Sequence, residues 1–168
     1  MRKSLAGVAF ALVLTLGVAP VLASRPTIEY LDFSGGPFTL TGVCPFGIYE
    51  EPTGNKEKVA TFYNQTGDIT FQVITGVNKW RFTNVSTGKV LDVNASGPGR
   101  LFVEPGSDLV LAETGGVSFF FIPNPPPGMP TFSLTRGRVV AELDPTTFIV
   151  TNLVAQQGTV QDICALLR

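Results

Sequence analysis

The stretch from Trp80 to Val103, WRFTNVSTGKVLDVNASGPGRLFV, decides the fold class. From Lys79 to Asn84, Trp80 and Phe82 alternate with Lys79, Arg81 and Thr83, a period of two that suits a half-buried strand and no helix. Ser86-Thr87-Gly88-Lys89 supplies a turn, because a glycine enters the left-handed region without a Cβ clash. Val90, Leu91 and Val93 then form a second strand. Asn94-Ala95-Ser96-Gly97-Pro98-Gly99 stops it, since proline donates nothing to a ladder. Leu101, Phe102 and Val103 form a third, and the sequence predicts a meander of the three. Two apparent nucleotide motifs in this stretch fail. A phosphate loop around Gly88-Lys89 requires glycine where Thr83 stands, and Phe102 takes the third glycine position after Gly97 and Gly99.

The same grammar runs through the rest of the chain. Phe38 and Leu40 alternate with Thr39 and Thr41 and lead to Cys44, and Phe46 and Ile48 continue an extended path. Glu50 to Lys58 is polar, contains Pro52 and Gly54, and reads as a loop. Val59 to Tyr63 and Ile69 to Val73 alternate cleanly as strands. After a turn at Glu104–Ser107, strands are predicted at Asp108–Glu113 and Val117–Ile122. Asn124 to Pro130, with Pro125-Pro126-Pro127, reads as a stiff extended connection without ladder bonds. Phe132 and Leu134 mark another strand, Arg136-Gly137 a hairpin turn into Val139–Leu143, and Asp144-Pro145 a turn before Phe148, Ile149 and Val150. Only Val160 to Leu167 suits a helix, a short one. About ten strands with turn chemistry between them predict an all-β, antiparallel β-sandwich, in preference to a closed β-barrel.

The N-terminus has a different character. Arg2 and Lys3 precede an apolar run from Leu5 to Leu22, and Val21-Leu22-Ala23 suits a signal peptidase, so residues 1–23 read as a secretory signal peptide. An uncleaved anchor is the weaker alternative, because the run is barely long enough to span a bilayer. A cut after Ala23 leaves 168 − 23 = 145 residues. These divide into an extended N-terminal arm or first edge strand, 24–36, and a single domain, 37–168. Losing Arg2 and Lys3 leaves 10 bases against 13 acids, a charge of −3 without any basic cluster. That argues against nucleic acid and anionic lipid as partners. Later segments are too short and too broken by Gly and Pro to span a membrane, so a secreted, extracellular protein is expected.

The chain contains no histidine, which removes Ser-His-Asp and Cys-His catalysis and most zinc or copper sites. No metal or other cofactor is expected. Carboxylate chemistry remains open through Asp92, Glu104, Asp108, Glu113, Glu142 and Asp144, on or beside predicted strands. A glycosidase needs two of them at a defined separation across an aromatic-lined cleft, and no spacing singles out a pair. Solvated strand ends are the simpler reading. Calcium at turns such as Asp108 or Asp144 has no ordered ligand loop behind it. Phe119-Phe120-Phe121 reads as a strand buried on both faces in preference to a binding ledge, and Trp80 as core in preference to a sugar platform. Asn64, Asn84 and Asn94 each begin a glycosylation triplet, a pattern that Asn- and Ser-rich turns also produce by chance. Cys44 and Cys164 are the only cysteines, and export would place them where disulfides persist, so a Cys44–Cys164 bridge is predicted.

The layout resembles small secreted proteins of actinobacteria with no known activity. The likeness lies in the leader, Cys44-Pro45-Phe46, the run Phe82 to Lys89, Asn94 to Gly99, and the ending Asp162-Ile163-Cys164-Ala165-Leu166-Leu167. It implies an exported β-rich protein and carries over no catalytic or binding residue. Two functions follow from the sequence: a binding or structural module for an extracellular or cell-envelope ligand, or a secreted carboxylate-dependent hydrolase acting on carbohydrate.

Overall fold

Ile48 to Tyr63 and Ile69 to Asn84 run antiparallel for sixteen residues each, and this long hairpin sets the layout of the molecule. The computed structural model describes residues 25–31, 36–103, 110–147 and 149–168. The expected leader, the turn and strand start from Glu104 to Asp108, and Phe148 lie outside the described residues. The strands are β1 (Thr27–Leu31), β2 (Phe38–Leu40), β3 (Ile48–Tyr63), β4 (Ile69–Asn84) and β5 (Val90–Asn94). They continue as β6 (Gly99–Val103), β7 (Val110–Thr114), β8 (Val117–Phe121), β9 (Phe132–Leu143) and β10 (Val150–Asp162), before helix α1 (Ile163–Leu166). The chain is therefore all-β and antiparallel, not closed into a barrel, with one short C-terminal helix.

The sheet behaves differently at its two ends. At one end, β2, the start of β3, the end of β4 and β5 form one layer, while β8, the start of β9 and the end of β10 form the other. Phe82 of the first layer meets Phe119 and Phe132 of the second edge to face, with centroids 5.3 and 5.5 Å apart. Ile48, Phe82, Val93, Leu134, Ile163 and Leu167 complete this core. At the far end the layers join through β6 and β7 into one continuous sheet, ordered β1-β3-β4-β6-β7-β9-β10. A second core forms there from Val110, Ala112, Ile122, Ala141, Leu143 and Val150. The sandwich expected from sequence is thus a single sheet doubled over at one end.

Glycines permit the bend. Gly137 and Gly158 face each other across β9 and β10 with φ of 129° and 112°, and Gly76 in β4 has φ of 139°. A Cβ on any of the three would overlap a carbonyl oxygen of the partner strand. Gly137 is therefore the interior of a strand, not the hairpin turn predicted at Arg136-Gly137, and its N–H donates to the Gly116 carbonyl at 2.7 Å.

Four other expectations are corrected. Glu50–Lys58 is no loop but the middle of β3, because the ladder to β4 satisfies its backbone; Pro52 sits at a register shift where its missing N–H is harmless. The predicted meander is broken, since β5 and β6 both pair with β4, β5 along Lys79–Thr83 and β6 along Phe71–Ile74. The proline-rich connection includes a turn, Met129 N–H donating to the Pro126 carbonyl at 3.0 Å. The helix begins at Ile163, three residues later than predicted, because Val160–Asp162 still pair with β9. Asp162 caps it, its carboxylate accepting from the Cys164 N–H at 2.8 Å. The arm at 24–36 contributes β1, paired with β3 from Thr27 to Leu31.

The predicted bridge is present. Cys44 and Cys164 are disulfide-bonded with Cα atoms 5.5 Å apart. Asn84 donates from Nδ2 to the Leu167 carbonyl at 2.9 Å, and Lys89 Nζ donates to the Arg168 carbonyl at 2.6 Å. The C-terminus is fixed by covalent and polar links together.

Candidate functional site

Where the doubled layers merge into one sheet, a cavity of about 240 Å³ remains between them. Strand alternation selects its lining. Glu57 is in phase with the buried Val59 and Thr61 on β3, so its carboxyl turns inward, and it is 8% exposed. Asn78 of β4 donates from Nδ2 to Glu57 Oε1 at 3.3 Å and accepts at Oδ1 from the indole N–H of Trp80. Leu31 and Ile74 add apolar surface from β1 and β4, Phe119 and Phe120 close the wall from β8, and Thr114 comes from β7. The loop Ala95–Pro98 forms the rim. It is strapped down where Ala95 N–H donates to the Asn78 carbonyl at 2.8 Å and the Asn78 N–H donates to Ser96 Oγ at 2.9 Å.

Two features set this cavity apart. Burial pushes the Glu57 carboxyl above its ordinary range, the hydrogen bond from Asn78 opposing that only in part. The hydroxyl of Thr114 and both amide atoms of Asn55, the residue opposite Asn78 in the ladder, are buried without a hydrogen-bond partner in the structure. Buried polar atoms normally find partners; of these residues Thr114 lines the cavity, so its hydroxyl suits a ligand that supplies one.

The carboxylates singled out in the sequence are dispersed. Asp92 pairs with Arg81 at 2.8 Å, which holds its carboxyl below the usual range, and it borders a cleft of about 460 Å³ with Arg136 and Gln161. Glu113 pairs with Arg138 at 2.6 Å and Arg100 at 3.8 Å. Glu142 accepts from Asn152 at 3.2 Å. Asp144 closes its turn by accepting from Thr146 and Thr147, bonds that lower its pKa. Glu104 and Asp108 lie outside the described residues. Four clefts among the described residues hold one carboxylate each: Glu57, Asp92, Glu113 and Asp144. No group of three or more Cys, Asp or Glu among the described residues is placed to hold a metal.

The aromatic expectations divide. Phe119 faces the core with Trp80, Phe82 and Phe132, Phe120 packs on the far-end core, and Phe121 is exposed. Trp80 is half-buried, flanking the core with its ring edge-on to Phe119 at 6.0 Å. Phe82, its alternation partner, is the fully buried one. Of the glycosylation triplets, Asn84 is 2% exposed with its amide engaged, leaving no room for a glycan; Asn64 is half-buried with its amide donating to Asp68, and Asn94 is exposed. Sequence reading missed Glu57, Asn55, Asn78 and Thr114. For Glu57 a signal existed: it keeps the period of Val59 and Thr61, and the polar composition around it masked that phase.

Comparison of the chain with protein-family models, curated proteins and solved structures finds no match. Among the described residues no helix is long and apolar enough to cross a membrane, which says nothing of strands.

Proposed function

We propose that the chain is a secreted, extracellular binding module, trimmed after Ala23, that takes a small extracellular or cell-envelope ligand into the cavity around Glu57. The observation that carries this reading is the convergence of a buried carboxyl and the partnerless Thr114 hydroxyl on one cavity that Phe119 and Phe120 also line. The Cys44–Cys164 bridge is compatible with it, since such bonds persist outside reducing compartments. The hydrolase reading has less support: a glycosidase pair needs two carboxyls across one cleft, and the clefts at Glu57, Asp92, Glu113 and Asp144 hold one each.

Two measurements test the proposal. N-terminal sequencing of protein from culture medium is expected to begin at or near Ser24, and cell-retained product starting at Met1 would contradict export. A binding screen against glycans and fractionated envelope material is expected to yield a ligand that competes for the cavity. Catalytic turnover of a glycan would favour the hydrolase instead.

A further inference from the structure

We infer that the cavity around Glu57 recognises a small organic cation, a primary ammonium carried on a flat apolar body. This rests on the binding-module reading and names its ligand class. Glu57 makes no salt bridge with any described Lys or Arg. Its neighbours Lys56 and Lys58 alternate to the opposite face of β3 and are exposed. On β1, Glu29 lies in register with Val59, on the face of Glu57. The lining residues from β4, from the Ala95–Gly99 rim and from β8 carry no charge. On β7 the lining residue is Thr114, while Glu113 is occupied by Arg138 and Arg100. Among the described residues lining the cavity the Glu57 carboxylate is therefore the one charged group.

An anion would sit against Glu57 and meet no cation. A neutral ligand would leave the carboxylate unanswered. An ammonium group has three N–H donors, and the lining offers it the Glu57 carboxylate and the Thr114 hydroxyl as acceptors, the latter without a partner. Phe119 and Phe120 both line the cavity, and aromatic lining suits a cation carried on a flat apolar body. At about 30 Å³ per water volume, 240 Å³ accommodates roughly eight heavy atoms, the size of benzylamine. Burial raises the Glu57 pKa, and an ammonium beside it favours the charged form, so binding and deprotonation of Glu57 are linked.

The test titrates bridge-intact protein with benzylammonium, benzyl alcohol and benzoate, which share a ring and differ in charge. Calorimetry gives the affinity, and Trp80 fluorescence reports on the Phe119 wall. Benzylammonium is expected to bind most tightly, and Glu57→Gln to weaken it on the order of tenfold to a hundredfold, the size of a lost charged hydrogen bond, with little effect on the alcohol. Wild-type affinity for benzylammonium alone should rise as pH rises through the raised titration range of Glu57, with proton release visible as a buffer-dependent heat. That pH profile stands if Glu57→Gln does not fold. Alcohol or benzoate binding as well as the amine, or a flat pH profile, overturns the cation assignment and leaves the pocket. No binding by any of the three at millimolar concentration overturns both.

Discussion

Glu50 is the most exposed to chemical argument of any single residue, because it is so little exposed to water. It is 5% accessible between Phe38 and Phe82 in the ladder, its Oε1 has no hydrogen-bond partner in the structure, and burial pushes its pKa from 4.5 to about 7. A carboxyl whose folded pKa is raised favours folding while protonated, so its contribution is full below about pH 4.5 and is lost as pH rises through 7. The loss amounts to roughly 3 kcal/mol, and Glu57, also raised, adds in the same direction. Asp68, Asp92 and Asp144, all lowered, act oppositely, and their contribution disappears as pH falls through their own range. Denaturant melts across pH are therefore expected to show greatest stability on the acidic side of neutrality. Glu50→Met is expected to raise stability at pH 8 and to flatten the decline; an unchanged profile would mean that Glu50 is ionised without cost. Asn84 makes the opposite case. Its amide donates to the Leu167 carbonyl and its Oδ1 accepts from Ser86, so Asn84→Ala should cost roughly 2–3 kcal/mol in chemical denaturation. The exposed Asn94→Ala should change little, and equal effects would refute the anchoring role.

At the level of the strand, the glycine pair of β9 and β10 carries the bend. Gly137→Ala or Gly158→Ala places a methyl group into a carbonyl oxygen at a φ that alanine resists, and each is expected to cost more than about 2 kcal/mol. Gly116→Ala, where nothing lies within 4 Å of the added carbon, should cost about 1 kcal/mol from its positive φ alone. Similar melting temperatures for Gly137→Ala and Gly116→Ala would show that the sheet bends elsewhere. These strands also mark how far the sequence could be read. Strand identity was legible wherever apolar alternation reached a core, as in Trp80–Asn84 and Phe132–Leu134. It was lost in Glu50–Lys58 and in Thr151–Gln161, where one hairpin partner supplies the pairing and the side chains are largely polar. Gly137 was read as a turn because a glycine between two strand-like runs signals reversal, and only the opposing Gly158 shows that it is a strand interior. The site was illegible for the same reason, Glu57 and Asn78 lying in segments whose composition mimics a loop.

For the molecule as a whole, the bridge joins the entrance of β3 to the helix 120 residues later. A loop of that length corresponds in the chain-entropy model to about 5 kcal/mol of stabilisation. Reduction is therefore expected to lower the melting temperature sharply, while an unchanged melt would mean that Asn84 and the Ile163–Leu167 packing hold the helix without it. The bridge was legible because two cysteines allow one pairing, and the sandwich because its turns recur at short intervals; the doubling of one sheet was not, since register between distant strands leaves no local mark. The doubled sheet leaves the cavity around Glu57 as the place where a ligand would bind. Backbone amide chemical-shift mapping during titration with benzylammonium tests this most sharply. The shifts are expected to converge on Leu31, Glu57, Asn78, Gly97–Gly99, Thr114 and Phe119–Phe120. Shifts centred instead on the outward-facing rings of Phe62, Phe71 and Phe102, or no shifts at the cavity at all, would contradict it.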